Sequence, residues 1–308
     1  TSIGDVLVAS DPDNGERLTF TLIASESETG SGHDVGAFNV SSSGQLVLLK
    51  AVDYEAWGDR SFKVNLGILV RDAGAVGGRT NPSGISNFGA SYLSARGYVT
   101  VIITDENEAP TLSGGTLVVP EGSLGGVLVG TPISATDPDV YADQALGYRI
   151  VGGSGAGLFV IDSCGGQVRV GREVAAATLD FETQYSHELT VEVTDNVAPR
   201  PLTARATYMV TLKNMNEAPT VQTGVVLRVA EDAKGGDVVG SIKGQDEDAG
   251  QVLTYSMVGS DKFSISSSTG VLSVRAGQTL DHEASKLHRV QVTAEDDGRV
   301  VLDPSGKT

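Results

Sequence analysis

Thr104–Thr111 reads TDENEAPT, and Lys213–Thr220 reads KNMNEAPT. Their prolines, Pro110 and Pro219, stand 109 positions apart, the length of one small domain. Proline donates no backbone N–H and biases the residue before it toward extended backbone. Each phrase therefore reads as a connection into a new strand. Two such connections one domain length apart imply that the segments around them are copies of one unit.

Four further phrases recur in the same order. An acidic pair follows an apolar run in VLVASDPD (Asp11, Asp13), ISATDPD (Asp137, Asp139) and IKGQDED (Asp246, Asp248). A hairpin phrase follows: FNVSSSGQLVL from Phe38, FVIDSCGGQVRV from Phe159 and FSISSSTGVLSV from Phe263. Then come VDYE (Asp53, Glu55), LDFE (Asp180, Glu182) and LDHE (Asp281, Glu283). An alternating run closes each copy: KVNLGILVRD to Asp72, ELTVEVTD to Asp195 and RVQVTAED to Asp296. The expected domains are residues 1–108, 109–217 and 218–308, the first without its opening strand and the third without its closing one, as in a window cut from a longer chain.

Apolar residues alternate at period 2 through Phe62, Val64, Leu66, Ile68 and Val70, and again through Leu189, Val191 and Val193. Gly, Ser, Asn and Asp fill the turns, as hairpins require. REVAAATLDFE has helical composition, but it is too short to outweigh its context. The expected fold is all-β: three tandem Greek-key, immunoglobulin-like sandwiches. The first copy carries a longer Gly- and Ser-rich stretch within residues 74–96, read as a solvated surface loop.

Composition narrows the function. Lys and Arg total 22 against 39 Asp and Glu, a net charge of −17, so nucleic-acid phosphate and anionic lipid are poor partners. Cys164 is the only cysteine, which leaves no disulfide framework and no Cys-based zinc site. No run approaches the roughly 18 apolar residues of a membrane span, and TSIGDVLVAS lacks the basic head and cleavage site of a signal peptide. In a sandwich, the acidic phrases fall at strand ends, so those of neighbouring domains would meet at a linker.

These residues resemble the cadherin repeat. DENEAP and NMNEAP are similar to its interdomain phrase Asp-x-Asn-Asp-Asn-Ala-Pro, LDFE to its Leu-Asp-Arg-Glu, ATDPD to its Asp-x-Asp, VTD to its later Asp, and VPEGS to its N-terminal Pro-Glu. The shortened NEAPT form resembles repeats of microbial and protist surface proteins. The resemblance implies a cadherin-type rod with calcium at each linker. The first junction would draw on Asp53, Glu55, Asp105, Asn107 and Glu108 with Asp137, Asp139 and Asp195. The second would draw on Glu121, Asp180, Glu182, Asn214, Asn216 and Glu217 with Asp246, Asp248 and Asp296. Asp11, Asp13 and Asp72 would serve a preceding repeat, and Glu231, Asp281 and Glu283 a following one.

Ligand chemistry points the same way without the family. Calcium takes about 6 to 8 hard oxygens in flexible geometry, whereas magnesium dehydrates reluctantly and zinc favours His or Cys. The pattern departs from the family's in three respects. Both linkers are one residue short, Glu108 and Glu217 stand where it has Asp, and Asn214 removes one charge from the second junction. The count of ions per linker therefore need not be the family's usual three.

An EF-hand is excluded, because the twelfth position counted from Asp11 or Asp246 falls on Leu22 or Met257 rather than Glu. Asp53 and Glu55, two apart on a strand, would share a face as a hydrolytic pair does. Recurrence in three copies favours a structural ion, since an active site is ordinarily single. GGSGAG (Gly152–Gly157) matches neither nucleophile-elbow nor dinucleotide spacing. His33 reads as a loop residue, His187 and His288 as residues preceding strands, and His282 as the non-ligand middle of LDHE. Cys164 reads as a turn residue, Trp57 as a packed one, and Asn39 as a glycosylation acceptor in a eukaryotic source. The reading is a non-enzymatic extracellular rod that binds calcium and works in adhesion or a surface filament, with itself or another surface protein as partner. The alternative is a carbohydrate-binding or spacer module of a surface enzyme, for which 5% aromatics supply little material.

Overall fold

A computed structural model of the chain describes residues 1–11, 17–27, 35–57, 62–72, 93–139, 145–196 and 200–299. Asp13, His33, Gln144 and most of the long stretch within 74–96 lie outside these residues, as does the side chain of Trp57. Two compact units emerge, Thr1–Glu108 with Asp137–Gln144, and Ala109–Thr136 with Ala145–Thr308.

The first unit contains β1 (Thr19–Ser27), β2 (Phe38–Val40), β3 (Leu46–Leu48), β4 (Phe62–Arg71) and β5 (Ser94–Ile103). β1, β4 and β5 form an antiparallel sheet in that order, and β2 pairs with β3 as a hairpin. Val64, Leu66 and Ile68 point from β4 into a core closed by Phe38, Val40 and Leu46 of the hairpin. Each Val or Leu buried in such a core stabilises by about 1.5–3 kcal/mol, so the period-2 pattern fixes which face of β4 turns inward.

The second unit begins with β6 (Thr111–Leu112), β7 (Gly115–Pro120), β8 (Leu128–Val129), β9 (Ala135–Thr136), β10 (Gly147–Gly152), β11 (Phe159–Ile161), β12 (Val168–Val170), β13 (Ser186–Thr194) and β14 (Thr203–Lys213). A four-stranded sheet runs β10-β13-β14-β7, and β11-β12-β8 faces it. β7 lies parallel to β14, while the other pairs in this sheet are antiparallel. Between the sheets lie Val119, Val129, Val168, Val170, Leu189, Val191, Val193, Val210 and Leu212, all almost fully buried. The unit continues with β15 (Thr220–Val221), β16 (Val238–Ser241), β17 (Gly244–Gln245), β18 (Thr254–Val258), β19 (Phe263–Ile265), β20 (Val271–Val274) and β21 (Gln291–Glu295). These strands form the sheets β16-β20-β19, β18-β21 and β15-β17 around a separate, smaller cluster of Phe263, Leu272 and Val274.

One hairpin device appears three times and positions the acidic pairs. Gly44, Gly166 and Gly270 all adopt positive φ, and their carbonyls accept from Leu7, Ile133 and Ile242 N–H at 2.9 Å. A Cβ at any of the three would collide with the carbonyl oxygen of that same Leu or Ile, so only glycine allows the close approach. Each clamped residue stands four positions before the first Asp of its pair: Asp11, Asp137 or Asp246.

REVAAATLDFE departs from the strand reading. Ala176–Thr178 makes a 3-10 turn, and Phe181–Gln184 a one-turn helix, α1. His187 is likewise not ahead of a strand but within β13, where it is buried edge-on against Phe159. No described helix is long and apolar enough to cross a membrane.

Candidate metal centres

The Asp-x-Glu phrases are capped turns, not strands, which corrects the shared-face expectation for Asp53 and Glu55. The first carboxylate of each phrase accepts the N–H three residues on: Asp53 Oδ1 from Ala56 at 3.0 Å, Asp180 Oδ1 from Thr183 at 2.9 Å and Asp281 Oδ1 from Ala284 at 3.0 Å. A short acidic side chain satisfies an orphan N–H better than continued strand pairing would. The turn then aims the following Glu elsewhere. Asp180 spends its Oδ2 on the Thr183 hydroxyl at 2.7 Å as well.

The strand-closing aspartates hold loops. Asp72 accepts Leu93 N–H with both oxygens at 3.1 Å, and Asp195 accepts Leu202 N–H at 3.1 and 3.0 Å. Asp296 accepts from Gly298 N–H at 2.8 Å and from the Asn216 amide at 3.3 Å. Asp11 is half-buried ahead of its pair.

Within the first unit, Glu55, Asp105, Glu108 and Asp139 each bring a carboxylate oxygen to within 4.8 Å of the others. Asp139 is buried; its Oδ2 accepts Glu108 N–H at 2.9 Å, and its own N–H reaches Asp137 Oδ1 at 3.0 Å. Asn107 is half-buried in the same linker. Asp53 stays at its turn, outside the four-carboxylate set.

In the second unit, Glu121, Glu182 and Glu217 converge in the same way. Glu121 is buried, and its two oxygens accept Phe181 N–H and Met215 N–H, both at 2.7 Å. It thereby ties the end of β7 to α1 and to the linker. Asp248 Oδ2 accepts Glu217 N–H at 3.0 Å, and Asp248 N–H reaches Asp246 Oδ1 at 3.0 Å, repeating the Glu108–Asp139–Asp137 frame. Asn214 donates to Glu182 Oε1 at 2.7 Å. A third set, Glu231, Asp281 and Glu283, is exposed.

Crowding shows in the acidities. Loss of water around the Glu108 carboxylate, followed by the charges of Glu55 and Asp139, pushes it up to about 7. Burial, with Glu121, Asp248 and Glu182 close by, does the same to Glu217, also to about 7. Glu55 and Glu182 are raised as well, in each case mainly by burial.

Among the described residues, Asp105 Oδ1 and Asp139 Oδ1 in the first set are buried with no hydrogen-bond donor, as are Asn214 Oδ1, Glu217 Oε2, Asp246 Oδ2, Asp248 Oδ1 and Gln251 Oε1 around the second. Buried oxygens without donors are costly unless a cation meets them. The donor set is all oxygen, partly amide and mostly carboxylate, which fits calcium and offers nothing to a thiophilic metal. Gln251 was not among the sequence-derived candidates. Its amide donates to Asn216 Oδ1 at 2.6 Å and to Asp248 Oδ2 at 3.0 Å. Its place three residues past the acidic pair is the one signal the sequence holds.

Residues 115–213 match the family model of the cadherin domain. Human Protocadherin-16 is 30% identical over 302 residues, 94% of this chain. The chain belongs to the cadherin repeat family. Human Cadherin-7 is 29% identical over 217 residues, 66% of the chain and 27% of that protein. The chain spans only 8% of Protocadherin-16. The crystal structure of mouse Cadherin-23 EC22-24 superposes on 96% of this cadherin chain and 87% of its own with a TM-score of 0.61 at 23% identity, a likeness of fold. The sandwiches are thus cadherin sandwiches, and the first two clusters each draw on a linker phrase, through Asp105 and Glu108 in one and Glu217 in the other.

Proposed function

We propose that this chain is a segment of an extracellular adhesion or surface-filament protein in which three cadherin repeats, residues 1–108, 109–217 and 218–308, are stiffened by calcium held at their linkers. The observation that carries the reading is the gathering of buried, donor-less oxygens at the linkers, Asp105 Oδ1 and Asp139 Oδ1 at one and Glu217 Oε2 and Asp248 Oδ1 at the other. Bound calcium supplies the positive charge that lets these carboxylates stay ionised side by side. The remaining work belongs to the chain. Glu121 and the Asp139 and Asp248 carboxylates already grip linker N–H groups, so the ligands are attached to the backbone segment that must be held still.

The proposed ligands at the first linker are Glu55, Asp105, Asn107, Glu108, Asp137 and Asp139, with Asp53 and Asp195 as outer members. At the second they are Glu121, Glu182, Asn214, Asn216, Glu217, Asp246 and Asp248, with Asp180 and Asp296. Partners are proteins, either further repeats or a second surface protein. Isothermal titration with calcium tests the metal directly. Saturable uptake abolished by chelator is expected, with a stability gain of about 2.7 kcal/mol at a hundredfold excess over Kd. No uptake at millimolar calcium contradicts the reading.

A further inference from the structure

The two linkers share one frame. Glu108 N–H meets Asp139 Oδ2 at 2.9 Å and Glu217 N–H meets Asp248 Oδ2 at 3.0 Å, while Asp139 N–H to Asp137 and Asp248 N–H to Asp246 are both 3.0 Å. On this common frame, position 105 is Asp and its counterpart 214 is Asn. Asp105 sits among three other carboxylates with Oδ1 buried and lacking a donor. Asn214, also buried, turns its amide onto Glu182 Oε1 at 2.7 Å and leaves its own Oδ1 buried without a donor. The Gln251 amide rests on Asn216 Oδ1 and Asp248 Oδ2 in the same cluster.

We propose that Asn214 makes the linker at Glu217 the weaker of two calcium sites, and that its amide, with that of Gln251, holds this linker's ligands in place when the metal is absent. The inference rests on the calcium reading above. Two physical effects act together. Asn214 contributes a neutral oxygen where Asp105 contributes a charged one, so the cation gains less attraction. Its N–H also occupies a Glu182 oxygen that a cation would need, and that charge-assisted hydrogen bond must be exchanged on binding. Together they weaken binding on the order of tenfold to a hundredfold. The same two amides offset carboxylate repulsion around Glu182 and Asp248 in the metal-free state.

Calcium titration of the whole 308-residue chain and of Asn214→Asp and Asp105→Asn tests this, with urea unfolding in chelator as a second readout. The wild type is expected to show two affinity classes at least about tenfold apart. Asn214→Asp should tighten the weaker class by about tenfold and lower the metal-free urea midpoint, and Asp105→Asn should weaken the tighter class. Should one variant fail to fold, the converse change in the other decides. Equal affinities in the wild type, or a weaker class that ignores Asn214→Asp, overturn the assignment while leaving calcium binding intact. Absence of any calcium uptake overturns the functional reading with it.

Discussion

Glu192 is almost wholly buried on β13, where its Oε1 faces Arg149 Nε at 2.6 Å and its Oε2 faces Arg205 Nε at 2.7 Å. The two arginines are cross-strand neighbours of Glu192 on β10 and β14, so one carboxylate staples three strands. The guanidiniums of Arg205 and Arg149 hold its pKa below the ordinary glutamate range. A depressed acid contributes stability above its unfolded pKa and loses it as pH falls through the folded value. Glu192→Gln should therefore cost about 2 kcal/mol at pH 7 by urea unfolding, and the gap from wild type should close in acid. Glu108 and Glu217 have the opposite sign. Both are raised to about 7, so without metal their contribution is present below the ordinary glutamate range and is lost as pH rises through about 7. Melting temperature in chelator should fall between pH 5 and pH 8, while calcium affinity rises over the same interval; a flat profile for both would contradict the crowding. At this scale the acidic pairs were legible because each recurs in fixed order. Gln251 and Glu192 were not, because their partners are set by strand register and loop path, which one sequence does not display.

Among the elements, the hairpin phrase was legible as a hairpin, but its purpose appears only when the crossing segment is in place. Gly166 has φ near 65°, and a Cβ there would meet the carbonyl oxygen of Ile133, the residue whose N–H the Gly166 carbonyl accepts. Gly166→Ala should cost about 3 kcal/mol and also weaken calcium binding, since Ile133 leads into Asp137 and Asp139. A stability loss with unchanged calcium affinity would separate the clamp from the site. The Asp-x-Glu turns were misread as strand because period 2 and a one-turn helix cannot be told apart over four residues. Asp180 resolves the matter by capping Thr183 N–H. Asp180→Ala should destabilise by about 1 kcal/mol with or without metal, whereas Asp180→Asn, which retains a capping oxygen, should change the metal-free midpoint by a few tenths at most. Any loss of calcium affinity in Asp180→Asn then reports ligation rather than capping.

For the whole molecule, the fold was the most legible feature, since five phrases repeated in order specify strands, turns and linkers at once, and each level agrees with the others. Three hydrophobic clusters of unequal depth back that reading, with the cluster around Val191 the fullest and the one around Phe263 the smallest. On the proposed function, calcium held by the linker carboxylates governs how stiff the chain is. Small-angle X-ray scattering of the 308-residue chain in saturating calcium and then in chelator tests this most directly. A well-defined maximum dimension is expected with calcium, and a broader, more flexible distribution once calcium is removed. An unchanged maximum dimension and unchanged flexibility on chelation would contradict it.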